Sequence, residues 1–422
     1  MRSLLILSML AAVVCASCTQ LPEASQVMNP HAKWPGFVPK DDPWYFPIMV
    51  FTQEPKNATK YKELGINLYF ALWQGPTAGQ IAELKKHDMR VICEFNEYAQ
   101  GHLLADPTVV AWVHIDEPDL AVFRRDELLA DQPRAKKLVK EHWPEMYKEM
   151  DLDNKDYNGW GFGHGPEVCR QHYERIKTFD KNRPVVMMLS QAVPERFVGR
   201  GDRTAHDEDY PKYINGATDI VAFDIYPVAY GRPDDLWLVP KGIDKLNQWD
   251  KGNRPKWCAI ECTFGRPDKA IATAEQIRAQ IWMAIIHGVR GFGYFVHNFD
   301  KDGKYVTDKG LLEDPAMMKA VTVQNAEIRS LAKVIYAPGI EGVSLATHPE
   351  AKLDYVAKRV DGSVYILSST MTTTATSATF VIAGAGNGEV EVINENRALK
   401  LIDGKFTDAF AGFDVNLYRI RK

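Results

Sequence analysis

Two glutamates in this sequence each end a short apolar run. Glu117 ends the run that begins at Trp112, and Glu261 ends the run that begins at Trp257. Pro118 stops the first run, because a proline cannot donate a hydrogen bond to a β-ladder. Two carboxyl groups that face one pocket can hydrolyse an acetal, since one protonates the leaving oxygen while the other attacks carbon or activates water. For either glutamate, the alternative is an ordinary ion pair with an arginine.

The elements that would position these glutamates follow a regular order. Short β-rich runs alternate with helical patterns from about residue 42 to residue 337, which predicts an α/β fold with a parallel sheet. Eight strands with their crossovers in this length predict a (β/α)8 TIM barrel. The predicted strands are Phe46–Phe51, Ile66–Trp73, Met89–Glu94, Val109–Glu117, Pro184–Ser190, Asp219–Tyr226, Lys256–Glu261 and Val289–Val296, and the clearest helices are Ala78–His87, Glu167–Phe179 and Ala272–His287.

Polar and aromatic residues collect at the ends of the predicted strands, where parallel barrels build their active sites. Several carboxylates at one barrel mouth repel each other and lose hydration, so we expect them to serve a function. We expect the aromatic rings either to stack on a ligand or to pack in the core. We expect the polar groups to form hydrogen bonds with the ligand. The predicted binding residues are Trp73, Glu94, Asn96, Asp116, Asp224, Tyr226, Tyr294 and His297.

The strand-end pattern resembles the clan A glycoside hydrolases, which are (β/α)8 barrels with an acid/base Glu ending strand four and a nucleophilic Glu ending strand seven. The resemblance implies that Glu117 is the acid/base and Glu261 the nucleophile of a retaining enzyme that cleaves a β-linked glycan. Family 5-like members end strand six with His-x-Tyr, whose Tyr bonds the nucleophile. Here Asp224-Ile225-Tyr226 keeps the tyrosine and replaces the histidine.

Asp116 stands where the clan usually has an asparagine before the acid/base. Its negative charge beside Glu117 would favour retention of the acid's proton. Two other functions stay open. One is a non-catalytic surface lipoprotein that binds glycans, and the other is an inverting glycosidase on the same barrel, with Asp224 or Asp116 as the base.

The charge balance and the histidine pattern limit the classes of partner and cofactor that we expect. Lys and Arg number 51 and Asp and Glu 55, a formal net charge of −4, which argues against nucleic acid or an anionic membrane surface. No His-x-His follows the first predicted strand, so we expect neither a metal nor another cofactor. A carbohydrate is the expected partner, and the sequence does not indicate an oligomeric state.

The N-terminal residues resemble an export signal. Arg2 precedes the apolar run Leu4–Val14, and Cys15-Ala16-Ser17-Cys18 resembles a bacterial lipoprotein processing site. We therefore expect residues 1–18 to be a signal peptide, with a lipid anchor at Cys18 and residues 19–41 as a leader. The product would be a periplasmic or cell-surface lipoprotein, with plain secretion as the alternative.

The pattern changes after residue 337, and residues 338–422 are predicted to form a small β-sandwich that supports the barrel. Asp361-Gly362 and Asp403-Gly404 are hairpin signals. The predicted strands are Val364–Leu367, Ala378–Ile382, Glu389–Ile393 and Val415–Ile420. Within the barrel, a charged insertion at residues 120–165 carries Trp160, a second candidate for sugar stacking. Cys93, Cys169, Cys258 and Cys262 are predicted to be buried free thiols, although export would permit one pair to oxidise.

Overall fold

The computed structural model describes residues 27–120, 130–142, 163–195, 207–250, 254–263, 265 and 270–421. The predicted signal peptide with Cys18 lies outside these ranges, as do Trp160 and most of the insertion, so those calls stay predictions. Within the described ranges, no helix combines the length and apolar character needed to cross a membrane. The four cysteines named above are buried and free, as predicted.

The predicted barrel is confirmed. Eight parallel strands pair in sequence order and close when β8 pairs with β1. They are β1 Ile48–Phe51, β2 Leu68–Phe70, β3 Arg90–Glu94, β4 Val109–Val113, β5 Val185–Leu189, β6 Ile220–Asp224, β7 Lys256–Glu261 and β8 Val289–Phe295. The helices are α1 Ala58–Glu63, α2 Ala78–Lys86, α3 Glu97–His102, α4 Gln132–His142, α5 Pro166–Phe179, α6 Tyr210–Ala217, α7 Leu238–Asp250, α8 Ala274–Ile286, α9 Pro315–Ser330 and α10 Ala332–Tyr336.

Side-chain alternation in the strands divides the core into an inner and an outer part. On β8, Gly291 and Gly293 face the inside of the barrel, where there is no room for a side chain. A Cβ at Gly291 would lie 2.7 Å from the indole nitrogen of Trp257, and one at Gly293 would lie 2.5 Å from the ring of Phe51. The alternate residues of β8, Phe292 and Tyr294, belong to the outer core with the helices.

The N-terminal end of the barrel is closed by the segment that precedes β1. His31 Nε2 accepts a hydrogen bond from Trp257 Nε1 at 3.1 Å, and the ring of Phe37 stacks on His31 at 5.1 Å. Burial lowers the pKa of His31 to about 3, so this contact holds a neutral imidazole. From residue 27 onward, the predicted leader is therefore packed against the barrel rather than loose.

The C-terminal region forms two antiparallel sheets, as expected for a β-sandwich. Between the barrel and this region, β9 Asn298–Phe299 pairs with β10 Tyr305–Thr307. The strands of the two sheets are β11 Val343–Ala346, β12 Leu353–Val360, β13 Ser363–Thr370, β14 Thr376–Ile382, β15 Gly388–Val392, β16 Arg397–Leu401, β17 Lys405–Phe410 and β18 Val415–Ile420. The first sheet has the strand order β11-β14-β17 and the second β12-β13-β18-β15-β16. Sequence patterning missed β11, β12, β16 and β17. Both Asp-Gly pairs have positive φ and form the predicted turns.

The second sheet packs on the outer wall of the barrel. Leu367 and Leu417 join the outer core, and the buried Lys358 donates to the carbonyl of Ile335 at 2.8 Å. The aromatic residues Phe406 and Phe410 of β17 lie in the core between the two sheets and not at the barrel interface. The second sheet is thus joined to the barrel both by aliphatic packing and by polar contacts such as the Lys358 hydrogen bond.

A close approach between α7 and β6 gives a test of the packing between the helices and strands of the barrel. A Cβ at Gly242 of α7 would lie 2.3 Å from the ring of Phe223 on β6. We expect Gly242→Ala to lower the free energy of unfolding by about 1–3 kcal/mol, because the core is overpacked there. Gly79→Ala is the matched control, since a Cβ at this exposed helical position meets nothing within 4 Å. Denaturant unfolding of both variants checks the prediction, and equal stabilities would contradict it.

Candidate active site

A cavity of about 800 Å³ opens at the C-terminal ends of the barrel strands. This is the end at which parallel barrels carry their reactive groups. Six of the predicted site residues line it: Trp73, Glu94, Asp116, Glu117, Asp224 and Tyr226. Four of these six are carboxylic acids, so the cavity concentrates acidic groups from β3, β6 and the segment after β4.

Glu117 lies four residues beyond the end of β4, rather than at the strand end itself. Its backbone N–H donates to the carbonyl of Met188 on β5 at 3.0 Å, which keeps the segment in register with the barrel. Its φ is 40°, a left-handed conformation that is uncommon for residues other than glycine. Thr52 and Ala71 also line the cavity with positive φ. Such strain persists only where the surrounding structure enforces it, and it is concentrated in functional sites.

Asp119 fixes the turn that follows Glu117. It is fully buried and accepts hydrogen bonds from the backbone N–H and the hydroxyl of Ser190, each at 2.8 Å. It also accepts one from the hydroxyl of Tyr210 at 2.8 Å, so it links the segment after β4 to β5 and α6. Sequence reasoning assigned Asp119 no role. The structure assigns it the positioning of the loop that carries Glu117.

The carboxyl group of Asp224, at the end of β6, is in hydrogen-bonding contact with that of Glu117 and accepts from the hydroxyl of Tyr226. Burial and the nearby charge of Asp116 raise the pKa of Asp224 to about 7. Two carboxyl groups in contact retain one proton between them, because two adjacent negative charges repel. The second oxygen of Asp224, Oδ1, is buried and has no hydrogen-bond partner among the described residues.

Glu94 adds a further perturbed acid to the cavity. Burial, reinforced by the charge of Asp116, raises its pKa to about 6. Its carboxylate accepts a hydrogen bond from the backbone N–H of Leu72 at 3.4 Å, which holds it beside the segment that follows β2. The cavity therefore contains two acids whose pKa values lie well above the ordinary range, a property that is enriched in catalytic sites.

Glu261 does not line the cavity with the other acids. Its carboxylate is 1% exposed and accepts from the backbone N–H groups of Val228 at 3.0 Å and Ala229 at 2.8 Å, and from Gln280 Nε2 at 3.2 Å. Burial raises its pKa to about 7 despite these donors. The predicted hydrogen bond from Tyr226 to Glu261 is wrong, because the Tyr226 hydroxyl donates to Asp224. In this structure, Glu261 joins β7, the loop after β6 and α8.

Three more predicted residues lie away from the cavity, each for a local reason. Asn96 caps α3, accepting from the N–H of Ala99 at 2.9 Å. Tyr294 faces outward and donates to Asn325 at 2.8 Å. His297 is buried behind the ring of Phe295.

Sequence reasoning also missed residues that do line the cavity. Phe295 could have been found, because strand alternation turns it inward next to the outward Tyr294. Gln191 directly follows the fifth predicted strand, so its position at a strand end could have marked it, whereas no sequence signal marks Tyr230 or Phe299 as lining residues.

Aromatic rings form much of the cavity wall. Trp73 is 70% exposed at the rim, and its carbonyl accepts from Gln80 Nε2 at 2.9 Å. Gln80 belongs to the capping box of α2, so the helix start holds the tryptophan segment. Deeper in, Tyr226 and Phe295 stack at 5.1 Å. Flat aromatic faces of this kind can cover the apolar face of a sugar ring.

Comparison with solved structures shows the same fold in carbohydrate-active enzymes. An α-amylase from Anoxybacillus has a TM-score of 0.51 and 10% identity, with 89% of this chain and 98% of that chain covered. The GH42 β-galactosidase Gan42B has a TM-score of 0.50 and 8% identity, covering 90% and 98% of the respective chains. At these identities the likeness shows the fold alone. No family model matches the sequence, and no curated protein is significantly similar to it.

The described residues contain no group of three or more His, Cys, Asp or Glu side chains arranged to hold a metal ion.

The raised pKa of Asp224 gives a stability test that does not need a substrate. Its pKa rises from an ordinary 3.8 to about 7 on folding, so the folded protein holds this proton longer than the unfolded chain. Wild-type stability should therefore fall as the pH rises through this window. We expect Asp224→Asn to exceed wild type in free energy of unfolding by at least about 1 kcal/mol at pH above 7, with the difference shrinking toward pH 4.

Urea unfolding of both proteins across this pH range measures the difference. Asp302→Asn, which changes an exposed aspartate in the turn between strands Asn298–Phe299 and Tyr305–Thr307, is the matched control. A stability difference for Asp224→Asn that does not vary with pH would show that the carboxyl is not held protonated by the fold.

Proposed function

We propose that this protein is a glycosidase and that the bond is cleaved in the cavity at the C-terminal end of the barrel. The observation that carries the proposal is the contact between Glu117 and Asp224, with one buried Asp224 oxygen left unpaired. Acetal hydrolysis needs a proton donor and a second carboxyl group on opposite sides of the bond. The aromatic wall around the pair supports a sugar as the ligand, and the fold shared with two named glycosidases agrees with it.

The proposed roles follow from the hydrogen bonds. In the reactive form, the one proton that the pair retains lies on Glu117 and Asp224 is ionised. Glu117 donates this proton to the glycosidic oxygen while Asp224 Oδ1 attacks the anomeric carbon, so the carbon–oxygen bond to the leaving group breaks and a glycosyl ester forms. The carboxylate of Glu117 then removes a proton from water, whose oxygen attacks the same carbon and releases Asp224. Tyr226 favours the ionised form of Asp224 by donating to it. The released sugar keeps the anomeric configuration of the substrate.

The separation of the two carboxyl groups favours this retaining course. Retaining enzymes hold their carboxyl groups about 5–5.5 Å apart, whereas inverting enzymes leave about 6.5–9.5 Å for a water. Glu117 and Asp224 are in hydrogen-bonding contact without substrate, so the shorter separation requires the smaller displacement when a sugar enters between them. A β-linked glycan remains the substrate that the clan A resemblance implies.

Glu261 is the competing nucleophile, because the clan A resemblance assigns that role to the glutamate ending strand seven. To attack a sugar it would have to give up the hydrogen bonds from Val228, Ala229 and Gln280 and enter the cavity. A carboxylate so held has a positioning role in the present geometry, since it fixes the loop that follows Tyr226. We therefore propose Asp224 rather than Glu261 as the nucleophile.

Chemical rescue separates the two candidates. With aryl β-glycosides as substrates, Asp224→Gly should lose at least about a thousandfold in kcat, since it removes covalent catalysis. Added azide should restore activity and yield a glycosyl azide of inverted configuration. Glu261→Gly should show no azide rescue, because the cavity it leaves does not face the substrate. Proton NMR of the first product released by wild type should show the substrate's own anomeric configuration.

Rescue of Glu261→Gly but not of Asp224→Gly would return the nucleophile to Glu261. Release of the opposite anomer would identify an inverting enzyme. Binding of glycans without turnover of any aryl α- or β-glycoside would support the non-catalytic glycan-binding alternative.

Asp116 provides a test of the electrostatics. Its charge contributes to the raised pKa values of both Asp224 and Glu94. Removing that charge stabilises the ionised carboxylates, so both pKa values should fall. We expect Asp116→Asn to move the alkaline limb of the kcat/KM profile to lower pH while leaving the rate on the acid side within about threefold. A profile that superimposes on wild type would show that Asp116 does not influence the catalytic proton.

A further inference from the structure

A second cavity lies outside the barrel and shares no lining residue with the first. It is a groove of about 470 Å³ between α8 and α9, closed at one end by the turn at Ile393–Glu395 between β15 and β16. Tyr294, which the sequence pattern placed at the barrel mouth, forms part of its floor. All parts of the chain that line this groove belong to the described range 270–421.

Gln324 is the unexplained residue of this groove. It lies on α9 and is only 6% exposed, yet neither its amide nitrogen nor its amide oxygen has a hydrogen-bond partner among the described residues. Burying an unpaired amide costs free energy that an apolar residue at the same place would avoid. Buried polar groups are paired in nearly all folded proteins, so an amide left open in a groove indicates a ligand that pairs with it.

Arg278 presents a second unpaired group to the same groove. Its Nη2 donates to Glu327 at 3.1 Å, while Nη1 is buried without a partner in the described part of the chain. Glu327 is itself held by Trp282 Nε1 and Asn394 Nδ2, each at 3.1 Å. The guanidinium group is thus anchored on one side and offers a donor on the other.

We propose that this groove is a second binding site, for a neutral sugar. The amide of Gln324 offers one donor and one acceptor side by side, which matches two adjacent hydroxyl groups, and Arg278 Nη1 adds a donor for a third oxygen. Ile277, Met317 and Val321 supply an apolar wall for the carbon–hydrogen face of the ring.

The charges around the groove favour a neutral ligand over an anion. Three carboxylates, Glu275, Glu327 and Glu395, line it against the two cations Arg278 and Lys319. A carboxylated or sulfated sugar would therefore meet net negative charge. The site would keep a glycan chain near the enzyme while the barrel cavity acts on it, but its existence does not depend on the Glu117–Asp224 proposal.

Two methionines allow both cavities to be observed in one experiment. Met317 lines the groove and Met188 lines the barrel cavity. The protein labelled at its methionine methyl groups is titrated with free glucose, galactose, mannose and xylose, and carbon–proton NMR follows each methyl signal. Met317→Leu and Met188→Leu assign the two signals. We expect at least one of these sugars to shift the Met317 signal with saturation in the millimolar range.

Gln324→Leu should weaken that binding by at least about tenfold and leave any Met188 response unchanged, whereas Gln171→Leu, a matched change on α5, should leave both unchanged. Glucuronate should shift Met317 less than the neutral sugars do. A Met317 signal that none of the four neutral sugars moves would overturn the proposal, as would an equal response in Gln324→Leu or a response to glucuronate alone. The wild-type titration is decisive by itself if Gln324→Leu does not fold. If the wild type shows no glycosidase activity but its Met317 signal responds to a sugar, only the proposal for the barrel cavity is contradicted.

Discussion

The contact between the carboxyl groups of Glu117 and Asp224 constrains the whole upper half of the barrel. Two ionised carboxylates in contact would repel each other, so the pair retains one proton and the fold must hold both groups in place. Asp224 is fixed because it ends a buried strand. Glu117 lies on an irregular segment and depends on the bond to Met188, on the left-handed turn and on Asp119 behind it. The left-handed turn and the buried side chain of Asp119 therefore fix the position of Glu117, although it lies in a loop and not in a strand.

The shape of the cavity depends on which side chains fill the inside of the barrel. Gly291 and Gly293 give β8 no inward side chain, and the space is taken by Trp257 and Phe51. The segment with His31 and Phe37 then closes the N-terminal end. Because the interior is filled from below, the free volume is confined to the C-terminal end, where the acids and the exposed Trp73 lie. Asp224 keeps its raised pKa only while water is excluded from beneath it, so the closed lower end helps to maintain that raised pKa.

The sequence allowed the barrel to be predicted because each strand is a continuous apolar run bounded by turn residues, and the eight runs match the observed strands to within a few residues. Alternation along a strand also determines which residues face the cavity, and it would have exchanged Tyr294 for Phe295. It could not predict Tyr230, because this residue lies in a loop where the backbone has no regular alternation. The additional C-terminal strands were missed because exposed alternation over few residues resembles a loop.

Glu261 shows why a residue at the right place in a sequence can differ in its chemistry. Glu261 and Asp224 both end an inner strand of the barrel, both have their pKa raised to about 7 by burial, and sequence pattern alone cannot rank them. Their hydrogen bonds distinguish them. Glu261 accepts from three donors of the protein, so its lone pairs hold a loop and a helix, whereas one oxygen of Asp224 has no partner among the described residues. A nucleophile needs a free lone pair directed at the substrate, and this is the reason why we propose Asp224, at the end of strand six, rather than Glu261, at the end of strand seven.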